Sequence, residues 1–216
     1  MTRRAVGPPG VCLVTARRIA GDRPIVDLVR AAIAGGAAMI QIREKDLPGG
    51  ALLACARAVL EAAAGSRTRV VINDRLDIAL AAKADGVHLP AEGLPIPETR
   101  RAAGRRLKIG RSVHSLAEAR KAEREGADYL VFGPVFETPD KTPLGPPQGP
   151  AALRKVAESV AIPVWAIGGI TPGNAVTLKG IPIAGVAAIR ALVGAPDPAE
   201  AVRALARAIG GDQAGG

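Results

Sequence analysis

Short apolar runs alternate with longer alanine-rich segments from one end of the chain to the other. The apolar runs are three to five residues long, and polar residues seldom interrupt them. This pattern is typical of parallel strands that are buried on both faces. The predicted strands are Val11–Thr15, Met39–Arg43, Arg69–Ile72, Gly86–Leu89, Lys108–Gly110, Tyr129–Phe132, Val164–Ile167 and Gly185–Ala188.

Helical patterns fill the segments between these strands, and several begin at a capping residue such as Ser115 or Asp197. The predicted helices are Ile25–Ala34, Gly50–Ala64, Leu76–Ala82, Pro97–Ala103, Leu116–Glu125, Pro150–Ser159, Gly173–Leu178 and Pro198–Ile209. Eight strand–helix units predict a single (β/α)8 (TIM) barrel over residues 1–216, with flexible ends at 1–10 and 211–216. The alternative is an open doubly wound sheet, which would normally carry a glycine-rich fingerprint after the first strand.

The composition of the chain argues against nucleic acid and membranes as binding partners. The chain has 216 residues, of which 48% are hydrophobic and 2% aromatic, and its formal net charge is +9. Its arginines are scattered and few rings are present to stack on bases, so the charge does not indicate nucleic-acid binding. Cys12 and Cys55 do not form a metal-ligand motif, and no apolar stretch is long enough to span a membrane. We therefore expect a cytoplasmic protein that binds neither nucleic acid nor membrane.

Polar residues that follow each strand are the candidates for a site, because chemistry in (β/α)8 barrels lies at the carboxyl ends of the strands. Gln41, Arg43 and Lys45 follow the second strand and face the same side in extended backbone. Two cations and an amide donor suit a phosphate or a diphosphate. The alternative is a solvated loop with a surface ion pair.

The third and fifth strands are also followed by polar residues. Asp74 could bind a hard cation such as Mg2+, with Asn73 supplying an amide contact. Alternatively, one of these two residues caps the next helix. After the fifth strand, Arg111 and Ser112 offer hydrogen-bond donors to an anion. Two histidines near strand ends are either acid–base groups or structural residues: His88 and His114.

The last two strands end at a favourable position for phosphate. Gly168 and Gly169 follow the seventh strand, and Ile189 and Arg190 follow the eighth. Loops after these strands are the usual phosphate site of a barrel, and paired glycines let backbone N–H groups approach the anion. The Pro- and Gly-rich segment 138–149, after the sixth strand, predicts a mobile loop on the same face.

Six stretches carry a family resemblance: QIREK (41–45), INDRLDIALAAKADGVHL (72–89), IGRSVHSLAEA (109–119), GADYLVFGPVFET (126–138), PVWAIGGIT (163–171) and GVAAI (185–189). In order and spacing they resemble the thiamine phosphate synthases and their TenI-like thiazole tautomerase relatives, which are (β/α)8 barrels. They span nearly the whole chain from the second strand onward.

The resemblance implies a reaction that joins a hydroxymethylpyrimidine diphosphate to a thiazole phosphate, giving thiamine phosphate and diphosphate. Such chemistry needs charge neutralisation on the leaving group and aligned substrates more than a nucleophile. The implied contacts to the pyrimidine diphosphate are Gln41, Arg43, Lys45, Asn73, Ser112 and Lys141, with Arg43, Ser112 and Lys141 as the catalytic residues. Asp74 would hold Mg2+, and the implied contacts to the thiazole phosphate are Thr138 and the backbone at Gly168, Gly169, Ile189 and Arg190.

Three positions depart from the family patterns. Synthases carry a second Mg2+-binding aspartate where this chain has Gly93, and usually a serine where it has Arg190. Tautomerases carry a histidine, the base that moves the proton, where this chain has Pro134. Neither pattern is therefore complete.

Retention of Lys45, Asp74, Pro134 and Lys141 favours a synthase. One alternative is a tautomerase that uses His114 or His88 as its base. The other is a non-catalytic relative that binds thiamine phosphate. A homodimer is among the expected assemblies.

Overall fold

The computed structural model describes residues 9–138 and 146–210, and its strands form a closed parallel barrel in the order β1 to β8. The strands are β1 (Gly10–Val14), β2 (Met39–Ile42), β3 (Arg69–Asn73), β4 (Gly86–Leu89), β5 (Lys108–Val113), β6 (Tyr129–Phe132), β7 (Val164–Ile167) and β8 (Gly185–Ala188). The barrel closes where β1 pairs with β8, with Val11 opposite Val186. The predicted (β/α)8 barrel is confirmed, and the open-sheet alternative is wrong.

At least one helix follows each strand. The helices are α1 (Arg17–Ala20), α2 (Ile25–Ala34), α3 (Gly49–Ala63), α4 (Leu76–Ala82), α5 (Ile96–Ala103), α6 (Leu116–Arg124), α7 (Gly149–Ser159), α8 (Pro172–Ala175), α9 (Arg190–Val193) and α10 (Pro198–Ala208), and a 3-10 helix, Val176–Leu178, follows α8. The predicted caps are confirmed, since Ser115 Oγ accepts the Glu118 N–H at 3.2 Å and Asp197 Oδ1 accepts the Glu200 N–H at 3.1 Å. Within the described ranges, none of these helices is long and apolar enough to cross a membrane.

Some boundaries differ from the sequence prediction in ways that affect the site. β5 continues to Val113, so Ser112 is a strand residue and not part of the following loop. Helices α1 and α9 were not predicted, because four residues are too few to show a helical period. β1 begins at Gly10, inside the segment predicted to be flexible. Residues 1–8 and 211–216 lie outside the described ranges, so flexible ends there remain a prediction.

Apolar side chains form two clusters, one between strands and helices and a smaller one inside the barrel. The inner cluster consists of Cys12, Val14, Met39, Val71, Tyr129, Val131 and Ala187. Burial raises the pKa of the Cys12 thiol to about 12, so this residue acts as a small apolar group. Because the barrel is filled from within, it is a packed support and not a channel.

Glycines make room for two large rings: Tyr129 of the inner cluster, and Trp165, which packs against that cluster. An added Cβ at Gly110 would lie 2.1 Å from Tyr129 Cζ, and one at Gly185 would lie 2.6 Å from Trp165 Cζ3. At Gly10 an added Cβ would lie 3.4 Å from Trp165 Cη2. The Trp165 ring therefore lies against the junction of β1 and β8, where the barrel closes.

Candidate active site

A pocket of about 650 Å3 opens at the carboxyl ends of the strands. The end of each strand contributes one residue to its lining: Val14, Gln41, Asn73, His88, Ser112, Val131, Ile167 and Ile189. These eight residues are called the pocket floor below. The volume is in the range of small-molecule sites, and the position is that of catalytic sites in (β/α)8 enzymes.

The pocket floor has a polar half and an apolar half. The polar half lies on β2 to β5, where Gln41 Nε2 donates to Asn73 Oδ1 at 3.1 Å and His88 Nε2 lies 2.8 Å from Ser112 Oγ. The apolar half lies at the ends of β6, β7, β8 and β1 and consists of Val131, Ile167, Ile189 and Val14. The pocket can therefore receive a polar group and an apolar ring side by side.

Arg43 and Lys45 bring positive charge to the rim beside the polar half. The backbone N–H of Arg43 donates to Thr15 Oγ1 at 3.0 Å, which ties the β2 loop to the end of β1. Within residues 9–138 and 146–210, neither side chain forms an ion pair with a carboxylate. The structure thus places Gln41, Arg43 and Lys45 at one pocket, and the two cations are available to an anion.

Two acidic residues beside these cations were not identified from the sequence. Glu44 is 5% exposed, and its two carboxylate oxygens accept the backbone N–H of Arg17 at 3.1 and 3.2 Å. Asp46 accepts hydrogen bonds from the guanidinium groups of Arg17 and Arg18, the latter at 3.0 Å. These bonds hold the β1 loop against the β2 loop. The only sequence signal for them is an acidic residue on each side of Lys45.

Asp74 lies at the end of β3 in a left-handed conformation, with φ of 64°. Its backbone N–H donates to the His88 carbonyl at 2.8 Å, which fixes this turn against β4. The N-cap of α4 is Arg75, and neither Asn73 nor Asp74 caps the helix with its side chain. The helix-cap interpretation is therefore wrong. A left-handed conformation at a non-glycine residue is typical of functional sites, which favours a functional role for the Asp74 carboxylate.

The surroundings of Asp74 offer few further ligands to a cation such as Mg2+. An added Cβ at Gly93 would lie 3.2 Å from Asp74 Oδ1, so position 93 faces this carboxylate. Glycine has no side chain, so it offers no second ligand to a cation bound there. No cluster of three or more His, Cys, Asp or Glu occurs in the described part of the chain. Mg2+ commonly binds one or two carboxylates together with substrate phosphates. The single carboxylate of Asp74 therefore fits an ion that arrives with a diphosphate, and not a preformed cage.

A side chain at position 93 would come close to Pro90. The Gly93 N–H donates to the Pro90 carbonyl at 2.9 Å, forming a tight turn, and an added Cβ would lie 2.8 Å from Pro90 Cδ. Arg111 holds this turn, since its guanidinium donates to the carbonyls of Pro90 at 2.6 Å and Leu94 at 3.1 Å. Two nitrogens of the Arg111 guanidinium are thus used by the β4 loop, and its contact with an anion stays a prediction.

We predict that the double variant Pro90→Gly/Gly93→Asp will bind Mn2+ without diphosphate about tenfold or more tightly than Pro90→Gly alone. The proline ring no longer occupies the space of the new Cβ, and the new carboxylate faces Asp74, so the charge of the ligand set rises. Electron paramagnetic resonance of free Mn2+ gives both affinities. Equal affinities for the two variants would show that position 93 does not reach the cation.

The glycines after β7 pack against the loop after β6. An added Cβ at Gly168 would lie 2.5 Å from Pro134 Cα, and one at Gly169 would lie 2.1 Å from the Glu137 carbonyl oxygen. The Phe136 N–H donates to the Gly168 carbonyl at 3.0 Å. These glycines are thus required by close backbone contact, in addition to any role with phosphate.

The remaining predicted phosphate contacts lie around the same end of the barrel. Ile189 is the N-cap of α9, which begins at Arg190 directly after β8, as does the short extra helix of many barrel phosphate sites. Of the thiazole phosphate set, only Ile189 lines the pocket. Thr138 is half-buried at the end of a described segment. Lys141 lies outside the described residues, so its role stays a prediction.

We predict that Gly168→Ala will lower the free energy of unfolding by about 2 kcal/mol more than Gly65→Ala. Both glycines have positive φ, at 104° and 78°, so each alanine meets backbone strain of about 1–2 kcal/mol. Only Gly168 also has a backbone atom in the path of the new Cβ, and overpacking of this kind costs about 1–3 kcal/mol. Urea denaturation measures both variants, and equal losses would contradict the close contact.

His114 presents a defined tautomer beside the pocket. Its Nδ1 contacts the carbonyl oxygen of Gly133, and a carbonyl only accepts, so Nδ1 carries the proton. In the neutral ring Nε2 is then a hydrogen-bond acceptor. Since His114 belongs to the pocket lining, a nitrogen base is present at the site.

The closed barrel, the pocket at its strand ends and the rim cations define a (β/α)8-barrel enzyme for small phosphorylated substrates. The chain matches the family model described as thiamine monophosphate synthase over residues 11–192. It is 43% identical over 195 residues to the thiamine-phosphate synthase of Roseiflexus castenholzii, covering 90% of this chain and 86% of that protein. The chain therefore belongs to the thiamine monophosphate synthase family, as its six sequence stretches predicted.

Other relatives agree with this assignment. The thiamine-phosphate synthase of Methanoculleus marisnigri is 44% identical over 204 residues, which cover 94% of this chain and 97% of that protein. The structure of thiamine phosphate pyrophosphorylase from Pyrococcus furiosus superposes with a TM-score of 0.86 at 37% identity, covering 95% of this chain and 98% of that one. The likeness thus extends over almost the full length of both chains.

Proposed function

We propose that this protein is a thiamine phosphate synthase, a transferase that couples hydroxymethylpyrimidine diphosphate with thiazole phosphate and releases diphosphate. The observation that carries the proposal is the polar half of the pocket floor beside Arg43 and Lys45, which form no ion pair within the described residues. An anionic leaving group would neutralise these two cations. The similarity to thiamine-phosphate synthases supports the same reaction.

The reaction breaks the bond between the pyrimidine methylene carbon and a diphosphate oxygen, and the bonding electrons leave with the diphosphate. The thiazole nitrogen then forms a bond to that carbon. Negative charge grows on the leaving oxygen, so preorganised cations and donors lower the barrier. Arg43 and Lys45 supply the charge, and the Ser112 hydroxyl supplies a donor. Lys141 is proposed to assist them from the loop after β6.

The two halves of the pocket floor align the substrates. The amides of Gln41 and Asn73 orient the pyrimidine diphosphate on the polar side. The apolar side, with Val131 and Ile167, accepts the thiazole ring, and its phosphate lies toward Gly168, Gly169 and the start of α9. Thr138 and Arg190 complete that end. Holding two reactants in line in this way replaces a collision in solution.

Mg2+ is the proposed cofactor, and Asp74 is the residue that would hold it. When bound, the ion would neutralise charge on the diphosphate. Because Gly93 offers no second carboxylate, Asp74 would hold the ion together with the diphosphate.

A coupling assay tests the proposal. Purified protein is mixed with hydroxymethylpyrimidine diphosphate, thiazole phosphate and Mg2+, and thiamine phosphate is measured by chromatography. Product that requires all three components is the expected result. Absence of product from protein with intact circular dichroism would overturn it, and binding of thiamine phosphate without turnover would indicate the non-catalytic relative.

One observation favours a tautomerase as a second candidate. The acceptor nitrogen of His114 at the pocket could move a proton on a thiazole carboxylate phosphate, although Pro134 occupies the position of the family's base. This activity would need no metal. Conversion of the thiazole carboxylate phosphate in EDTA, followed by NMR, would identify it, and its loss in His114→Gln would assign the base.

We also propose that the protein works in the cytoplasm, with the two phosphorylated substrates as its small-molecule partners. A homodimer is one of the assemblies we propose, and sedimentation equilibrium would test it.

A further inference from the structure

His88 joins two residues that the proposed function assigns to the diphosphate. Its ring nitrogen Nε2 lies 2.8 Å from Ser112 Oγ on the neighbouring strand β5. Its carbonyl oxygen accepts the backbone N–H of Asp74 at 2.8 Å. His88 lines the pocket but is only 2% exposed, and its ring nitrogen Nε2 is directed at Ser112.

From this geometry we propose that His88 is a positioning residue: its Nε2–H donates to Ser112 and turns the serine hydrogen into the pocket, toward the diphosphate. The proposal rests on the proposed function for the identity of the anion. Neither the sequence pattern nor the reaction itself requires a buried histidine to orient this hydroxyl.

The direction of the hydrogen bond follows from counting hydrogens. A serine hydroxyl has one hydrogen, and an imidazole nitrogen either donates or accepts. A diphosphate oxygen only accepts, so Ser112 must give it that single hydrogen. The Ser112 oxygen is then an acceptor toward His88, and the proton between the two residues must lie on Nε2. Diphosphate binding therefore selects one protonation pattern of His88.

The ring of His88 is held so that it can act in this way. Its centroid lies 5.8 Å from that of Tyr129, with an angle of 32° between the rings. The Tyr129 ring in turn fills the space beside Gly110, where a Cβ would collide with it. A ring that is buried and packed on one face keeps Nε2 directed at Ser112, so little orientational entropy is lost when the anion binds.

Histidine NMR tests the proposal without any turnover. The chain has two histidines, and His114 holds its proton on the other nitrogen, Nδ1, so the two patterns differ. In 15N-histidine-labelled protein, addition of inorganic diphosphate with Mg2+ is expected to shift His88 Nε2 into the protonated range. If Nε2 remains an unprotonated acceptor in the diphosphate complex, the proposal is overturned.

Kinetics of four variants give an independent test. His88→Phe keeps the ring without a donor and is expected to lower kcat about 10- to 100-fold, with little change in KM for thiazole phosphate. His88→Gln keeps an N–H donor at the ε position and should recover most of that loss. In the Ser112→Ala background, His88→Phe should cost almost nothing further, because its effect passes through the hydroxyl.

The outcomes separate this proposal from the proposed function. Independent, multiplicative losses for His88→Phe and Ser112→Ala would show a structural role for His88 and refute positioning. If the parent protein makes no thiamine phosphate, the proposed function fails, while the NMR result with inorganic diphosphate still decides the state of His88. If His88→Phe does not fold, the His88→Gln variant and the NMR experiment still test whether His88 positions Ser112.

Discussion

Arg43→Gln is expected to lower kcat/KM for thiamine phosphate formation about 100- to 1,000-fold, which corresponds to about 3–4 kcal/mol of transition-state stabilisation. The backbone of Arg43 is fixed by Thr15, and its guanidinium is paired with no carboxylate of residues 9–138 and 146–210. Glutamine keeps a donor but removes the charge. Steady-state rates at saturating thiazole phosphate and varied pyrimidine diphosphate measure the loss.

Arg18→Gln is the matched control for this variant. It removes one positive charge from the same rim, but Arg18 is 78% exposed in its side chain and bonded to Asp46 at 3.0 Å. A charge that is exposed and already paired contributes little to a transition state. We expect a change below about threefold. If both variants lose activity equally, the pocket acts through its overall field and Arg43 has no specific role.

Asp74→Asn is expected to lower the rate about 100-fold at physiological Mg2+ and to raise the Mg2+ concentration needed for half-maximal rate. Asparagine is close to aspartate in size and also tolerates the left-handed conformation, so the backbone turn should persist. What is lost is the charge of a carboxylate that faces position 93. Initial rates over a Mg2+ titration measure both effects.

The control for this variant is Asp77→Asn. Asp77 lies three residues further along, is 63% exposed in its side chain and is bonded to Arg75, so it belongs to the surface of α4. Its replacement should leave the Mg2+ dependence of the rate unchanged. If the rates of Asp74→Asn and the parent depended on Mg2+ concentration in the same way, the metal would be held by diphosphate alone.

The strands were predicted because each is a short apolar run buried on both faces, and this signal is local. The predicted fifth strand, Lys108–Gly110, is three residues shorter than β5, and the reason is related to function. Arg111 and Ser112 interrupt the apolar run, although they are strand residues, because one holds the β4 loop and the other faces the pocket. A polar residue within a predicted strand is therefore informative in a barrel, since it indicates where the packed core ends and the site begins.

Contacts between loops could not be predicted from the sequence. The bond between Glu44 and the backbone of Arg17 joins residues 27 positions apart, and nothing in either segment specifies the partner. The same holds for Gly93, which faces Asp74 only because β3 and β4 are neighbours. The candidate cations were identified from their spacing, but which of them are already paired became visible only in three dimensions.

The position of Trp165 gives the protein a built-in optical probe. It is the single tryptophan of the chain, and its ring lies against Gly10 and Gly185, which come from opposite ends of the sequence. Pairing of these ends closes the longest loop in the molecule, a step with a high entropic cost. The wavelength of indole emission during refolding should therefore follow the moment at which the two ends of the chain meet, with no label attached.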